Sequence, residues 1–142
     1  SIQGLIGKPL RHAIKSPDTD LYDFGFGERI KTIGYDGIER VTEEYFLHAL
    51  CPFRITWRND NNCSSTFSGN TPDDRFRHGI ASLLGLAVKE IAIVKENNLL
   101  LDFGTCYIIF FTNNDGEESW RIFTPHTELP HVVATNLIVD LE

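Results

Sequence analysis

A chain of 142 residues, 42% hydrophobic and 23% charged, fits one domain with enough interior to fold without a disulfide or metal staple. Its net charge of −7 argues against nucleic acid as a partner, because an acidic surface repels phosphate backbones. No apolar run is long enough to span a membrane, and the opening Ser1-Ile2-Gln3-Gly4 predicts no signal peptide.

In chain order, residues 8–15 alternate loosely and read as a strand, and Ser16-Pro17-Asp18 is a turn signal. Residues 20–26 alternate as a second strand, and the polar, glycine-containing stretch 27–42 reads as irregular. Residues 44–51 satisfy both helical and strand periodicity. They are assigned to a strand because the matching segment Tyr107-Ile108-Ile109-Phe110-Phe111 is β-branched and aromatic. Pro52 ends that element, residues 53–58 form another strand, and the Asn- and Ser-rich stretch 59–70 reads as a loop.

A helix is predicted over about 72–84. Thr71 would cap it, Pro72 suits its first position, and Asp73 and Asp74 complement the positive end of its dipole. Phe76, Ile80, Leu83 and Leu84 mark its buried face, and Gly85 stops it. Strands follow near 87–94, 98–103, 106–112 and 118–124, with hairpin turns at Asn97-Asn98 and Asn113-Asn114-Asp115-Gly116. Residues 132–139 read as an edge strand.

Three stations recur in the same order. Leu5-Ile6-Gly7-Lys8-Pro9-Leu10-Arg11 reads against Leu83-Leu84-Gly85-Leu86-Ala87-Val88-Lys89, and Leu21-Tyr22-Asp23-Phe24-Gly25 against Leu100-Leu101-Asp102-Phe103-Gly104. Phe53-Arg54-Ile55 reads against Trp120-Arg121-Ile122. The expected fold is therefore α+β and mainly antiparallel β. Two duplicated β-meanders, about 5–58 and 83–124, would share one domain over 1–142 with a central α-helix.

No reaction motif is present. His48 and Cys51 form the one pair that suggests metal binding or a nucleophile with its base, but zinc wants four ligands and no second pair exists. Cys51, Cys63 and Cys106 have no paired spacing, which suits a reducing cytoplasm. Asp18, Asp20 and Asp23 crowd the first hairpin, where Asp18 follows a Ser-Pro turn in which Asp is ordinary and Asp23 recurs as Asp102, so duplication explains it. Gly25-Phe26-Gly27 lacks the third glycine of a dinucleotide fingerprint, and His126 and His131 merely flank Pro130. Acids concentrate in the second half, where residues 72–142 hold 11 against 5 bases. Asp115, Glu117 and Glu118 there adjoin Trp120 and Arg121, residue types enriched at interfaces, so these five are the candidate binding residues. Leu141-Glu142 is compatible with a cloning-site remnant and is set aside.

The string Tyr45-Phe46-Leu47-His48-Ala49-Leu50-Cys51-Pro52-Phe53-Arg54-Ile55, with the later Glu118-Ser119-Trp120-Arg121, resembles a signature of small bacterial proteins that have no assigned activity. The likeness spans roughly residues 20–124. Proteins of this sort often look like immunity proteins, which neutralise a toxin, so the resemblance implies a cytoplasmic protein-binding module facing a basic toxin domain. The alternatives are a small enzyme or metal-binding protein built on His48 and Cys51, and a structural homodimer joined through 132–139. No catalytic residue, metal, cofactor or membrane contact is expected.

Overall fold

The computed structural model describes residues 2–59, 61, 63–125 and 129–142. Its strands are β1 (Leu10–Lys15), β2 (Tyr22–Ile33), β3 (Glu39–Ala49), β4 (Phe53–Trp57), β5 (Cys63–Phe67), β6 (Glu90–Ile93), β7 (Leu99–Asp102), β8 (Cys106–Phe110), β9 (Trp120–Phe123), β10 (Val132–Ala134) and β11 (Val139–Leu141), with one α-helix, α1 (Asp73–Ile80). Mainly antiparallel β with one helix is the fold class expected from the sequence. The strands form two sheets, β1-β2-β3-β9-β10-β11 and β5-β4-β8-β7-β6.

Consecutive hairpins were the expectation, and here the structure departs from it. β1-β2-β3 and β6-β7-β8 are meanders, but each following strand crosses over: β4 pairs with β8 and β9 pairs with β3. Each half of the chain thus lends its fourth and fifth strands to the sheet built on the other half. The Asn113–Gly116 turn is consequently no hairpin, because β8 and β9 lie in different sheets. The first crossing takes only Leu50-Cys51-Pro52, and proline suits it because a residue without N–H cannot extend a central ladder. The two crossings are bonded to each other: Leu50 N–H donates to Ser119 O at 2.8 Å, and Asn113 Nδ2 donates to Leu50 O at 2.9 Å.

The glycine stations also meet. Gly7 N–H donates to Val88 O (2.7 Å) and Gly85 N–H to Leu10 O (2.8 Å). Leu10 N–H donates to Leu86 O (2.9 Å) and Val88 N–H to Lys8 O (3.0 Å), so each segment makes the bonds the other makes. Both glycines have φ near +90°, a conformation that disfavours side chains, which fits glycine at each. Asp23 lies on β2 and Asp102 on β7, each the middle strand of its meander.

The core fills the space between the sheets. Alternation sends Tyr22, Phe24 and Phe26 inward from β2, Leu47 and Ala49 from β3, Phe53 and Ile55 from β4, and Ile108 and Phe110 from β8. Phe53 is central, with ring centroids 4.8 Å from Tyr22, 5.6 Å from Phe24 and 5.3 Å from both Phe67 and Phe110. Each such pair adds about 0.5–1.5 kcal/mol beyond area burial. α1 closes one side by inserting Phe76 against Tyr22, Phe53 and Phe67.

Five further expectations are corrected. Residues 27–42 are strand and turn, because β2 and β3 continue as a long ribbon; β5 lies inside the expected loop. The helix is shorter than 72–84, ending at Ile80 before a 3₁₀ turn over Ala81–Leu83. Thr71 is not its side-chain cap: its hydroxyl accepts from Ser68 N–H at 2.9 Å, closing the 68–71 turn beneath Tyr22, whose hydroxyl donates to Ser68 O at 2.6 Å. Residues 132–139 are not one edge strand. β10 is paired on both sides, and the edge is β11, where Leu141 pairs with Val132 and Glu142 bonds His131.

Candidate functional site

Two features of the six-stranded sheet stand apart from core packing. The first is an arm. β2 and β3 pair from Tyr22↔Ala49 out to Ile33↔Glu39, whereas β1 pairs with β2 no further than Phe26 and β9 meets β3 only over Phe46–Ala49. Residues 28–43 therefore run past both neighbours as a two-stranded ribbon. A register shift between Phe26 and Arg29 marks its root.

Isolated ribbons are marginal in water, and this one is secured at both ends. At the tip, Gly37 N–H donates to Gly34 O (3.0 Å), and the Asp36 carboxylate accepts from Ile38 N–H (3.0 Å) and Arg40 (3.1 Å). The Arg40 guanidinium, with that backbone bond, holds the Asp36 carboxyl at about 2. At the root, Glu44 accepts from Glu28 N–H (2.7 Å) and pairs with Lys8 (2.9 Å), while Arg11 donates to Gly27 O (3.0 Å). The arm is nonetheless apolar at its end: Tyr35 is 92% exposed, Ile33 68%, and Ile38 and Val41 55% each.

The second feature is a titratable cluster on the outer face, where β1, β2 and β3 lie side by side. His12 Nδ1 is 3.0 Å from Glu43 Oε1, and His12 Nε2 is 3.5 Å from Asp23 Oδ2. His48 Nε2 is 3.2 Å from Asp23 Oδ1. The His12 ring lies across Gly25, where a Cβ would come within 2.4 Å of its Cε1, so only glycine fits there.

Asp23 raises the His12 pKa and Glu43 adds to this, against burial. Burial opposes ionisation of Asp23, but the two imidazoles outweigh it and hold the carboxyl at about 2. The face continues through rings: Phe46 stacks on Phe123 (5.5 Å), which touches His48 edge-on (4.7 Å) and stacks on His131 (4.7 Å).

The residues singled out in the sequence are dispersed. Asp115 and Glu117 are exposed in the crossing turn. Glu118 is not free, because its carboxylate holds Arg121 at 2.7 Å. Trp120 is fully buried and donates Nε1–H to Asn97 O at 2.9 Å, so it is a core residue and no surface anchor. Arg121 is held by Glu118, by Glu142 (3.1 Å) and by His131 Nδ1 (2.6 Å), with a quarter of its side chain exposed. Burial and Arg121 together lower the His131 pKa.

His48 and Cys51 do not meet. His48 faces outward between buried Leu47 and Ala49, whereas Cys51 is in the core, where burial pushes its thiol up to about 12. That is the reverse of what a nucleophile needs. Among the described residues, no group of three or more His, Cys, Asp or Glu side chains is placed to hold a metal ion. Asp18 and Asp20 are exposed and join no cluster, and His126 lies outside the described residues.

The sequence reading missed His12, Glu43 and the arm. The arm carried a signal, Asp36-Gly37 between two runs with β-branched residues, Ile30, Thr32 and Ile33 before it and Ile38, Val41 and Thr42 after it, which suits a hairpin. The His12 cluster carried none, since its four members are brought together only by strand pairing. In comparisons with known proteins, no family model, curated protein or solved structure matches this chain.

Proposed function

We propose that this chain is a protein-binding module, an immunity-type inhibitor of a toxin, that engages its target through the β2–β3 arm. The observation that carries this reading is the tip: a nearly fully exposed Tyr35 flanked by Ile33 and Ile38, presented on a ribbon braced at root and turn. Large exposed apolar side chains cost solubility, and a tyrosine on a rigid loop is an efficient contact residue. An inhibitor needs a complementary surface and no catalytic group. The immunity assignment rests on the resemblance carried by residues 45–55 and 118–121. Asp115 and Glu117 would steer a basic toxin domain toward the module, an effect mainly on association rate.

The test is calorimetric titration of this chain against the proteins encoded by its neighbouring genes, with the Tyr35→Ser, Ile33→Ser double variant alongside any that binds. Both residues are exposed, so the fold should be unaffected. A loss of affinity of about tenfold or more supports the arm. Undiminished affinity overturns it, and no binding to any neighbouring gene product overturns the immunity reading.

A second reading, a homodimer, is favoured by the open edge at β11, beside which Leu137 and Ile138 are 74% and 57% exposed. Light scattering across a concentration series tests it, and a monomer throughout ends it.

A further inference from the structure

We propose that the open outer edge of β1 is a peptide-binding site, which takes an extended, acidic segment of another protein as an added strand. The argument begins with the part of that edge already filled. Residues 85–88 lie antiparallel to residues 7–10 on the side of β1 away from β2. Leu10 N–H donates to Leu86 O at 2.9 Å, and Gly85 N–H donates to Leu10 O at 2.8 Å. This pairing stops at Gly85, whose φ of +91° turns the chain out of line.

Beyond Leu10 the edge is empty. Ser16 N–H donates to Leu21 O at 2.8 Å, so the backbone of Ser16 points across the first hairpin. Alternation turns the backbone of Ile14 the same way, toward β2, and turns the N–H and C=O groups of Ala13 and Lys15 outward. β2 is the one strand paired with β1, and among the described residues no other backbone group bonds Ala13 or Lys15. An unpaired row of this kind is a template for another strand. Here it opens into a groove of about 600 Å³, with residues 13–17 on one side and residues 69–73 with Arg77 on the other. Ala13, Gly69 and Pro72 keep that lining small, which lets a main chain approach.

Charge selects the occupant. β1 reads Leu10-Arg11-His12-Ala13-Ile14-Lys15, two bases and an imidazole with no acid, in a chain of net charge −7. Across the groove, Asp73 pairs with Arg77 at 2.9 Å. Lys15 lies over the Tyr22 ring at 5.8 Å and is in no ion pair among the described residues. A segment that carries carboxylates therefore meets an uncompensated ammonium group. A second copy would instead lay this basic strand beside itself, which like charges disfavour. Main-chain bonds supply affinity in strand addition, and side chains supply the choice of partner. The groove lies at the Tyr22 end of β2, away from the arm, and draws nothing from the toxin reading.

The probe is a capped hexapeptide of alternating valine and glutamate, titrated into isotope-labelled chain and followed by NMR. Amide shifts should concentrate at Ala13, Lys15 and residues 69–73, with slowed amide exchange at Ala13 and Lys15 and a Kd below about 1 mM. The same peptide N-methylated at every residue keeps its side chains but has no N–H to donate, and it should bind about tenfold more weakly or worse. Lys15→Glu should reverse the preference, from the glutamate peptide to its lysine counterpart. Four results overturn the proposal: no shifts at about 1 mM peptide, shifts that map to β11 or the arm, equal binding of the N-methylated peptide, or dimers of the chain in which the same amides are protected. A glutamate preference that survives Lys15→Glu overturns the acidic assignment. None of these outcomes touches the Tyr35 titration, which reads the opposite end of β2.

Discussion

Asp23 and Asp102 sit in nearly the same pentapeptide, Leu-Tyr-Asp-Phe-Gly against Leu-Leu-Asp-Phe-Gly, each on the middle strand of a meander. Their surroundings differ completely. β7 ends at Asp102 and the chain turns through Gly104, whose φ is +92°. Asp102 caps that turn by accepting from Gly104 N–H at 2.8 Å, and it grips the Arg58 guanidinium at 2.7 and 2.8 Å. Arg58 in turn lies over the Tyr107 ring at 4.8 Å. β2 instead runs straight through Gly25, and Asp23 finds an imidazole on either side.

One carboxylate closes a turn and the other anchors a cluster, because different strands stand beside them. Arg54 and Arg121 diverge in the same way. The first lies over Phe111 at 5.1 Å, and the second is held among Glu118, Glu142 and His131. Local peptide identity sets which face a side chain takes, and the neighbouring strand decides what it does there.

The largest effect that separates the two stations should come from the phenylalanines that follow the aspartates. Phe24 touches the rings of Phe53, Phe76 and Phe110, so Phe24→Ala should cost about 3–5 kcal/mol in a denaturation experiment. Phe103 is buried but outside that ring cluster, and Phe103→Ala should cost measurably less. Equal losses would mean that the stations carry the core equally.

Next come the glycines. Gly25→Ala should destabilise by about 1–3 kcal/mol because its methyl displaces the His12 ring, and most of that loss should vanish in a His12→Ala background. Gly104→Ala should lose about 1 kcal/mol through its backbone conformation, with no dependence on His12. A Gly25 penalty that survives removal of His12 would show that the ring is not what needs the space.

The aspartates should differ in pH response. His12 has a folded pKa above its ordinary 6.5, so its contribution to stability is complete below 6.5 and is lost as pH rises through the folded value. Asp23 works on the acid side. Its contribution is present above 3.8 and is lost as pH falls from there through about 2. His12→Gln should remove the alkaline loss and blunt the acid one. Asp102→Asn should leave the alkaline loss intact, because Arg58 does not titrate in that range. A stability profile of His12→Gln that overlays the parent above pH 6.5 would contradict this assignment.

The smallest effect belongs to the crossing turn. Asp115→Lys with Glu117→Lys should change stability by about 1 kcal/mol at most, since both are exposed and the one bond lost is that from Glu117 N–H to Asp115 at 2.9 Å. The pair should slow association with a basic target at low salt and have little effect at high salt. Glu118 is left out because reversing it would also break the Arg121 pair.

Much of this molecule could be read without coordinates. The alternation of Tyr22, Phe24 and Phe26, the β-branched run at 106–110, the helix beginning after Pro72 and the paired glycine stations are all local patterns, and each is realised as an element or a turn. Periodicity reports which face a residue takes because backbone geometry alone imposes it. Periodicity does not report which strand lies next door. The exchange of fourth and fifth strands between sheets, the open edges at β1 and β11, and the burial of Trp120 and Cys51 all depend on that adjacency.

The same limit hid the His12 cluster. His12, Asp23, Glu43 and His48 are far apart in sequence, and each is unremarkable on its own strand. Antiparallel registers between β1, β2 and β3 put one imidazole between two carboxylates, and the absence of a side chain at Gly25 gives its ring a place to lie. Composition and pattern determined that this chain would be an acidic, mainly antiparallel β protein with one helix. Only the tertiary structure decided that its charged groups would meet on one outer face and that a ribbon would project beyond it, because those outcomes depend on pairings between segments distant along the chain.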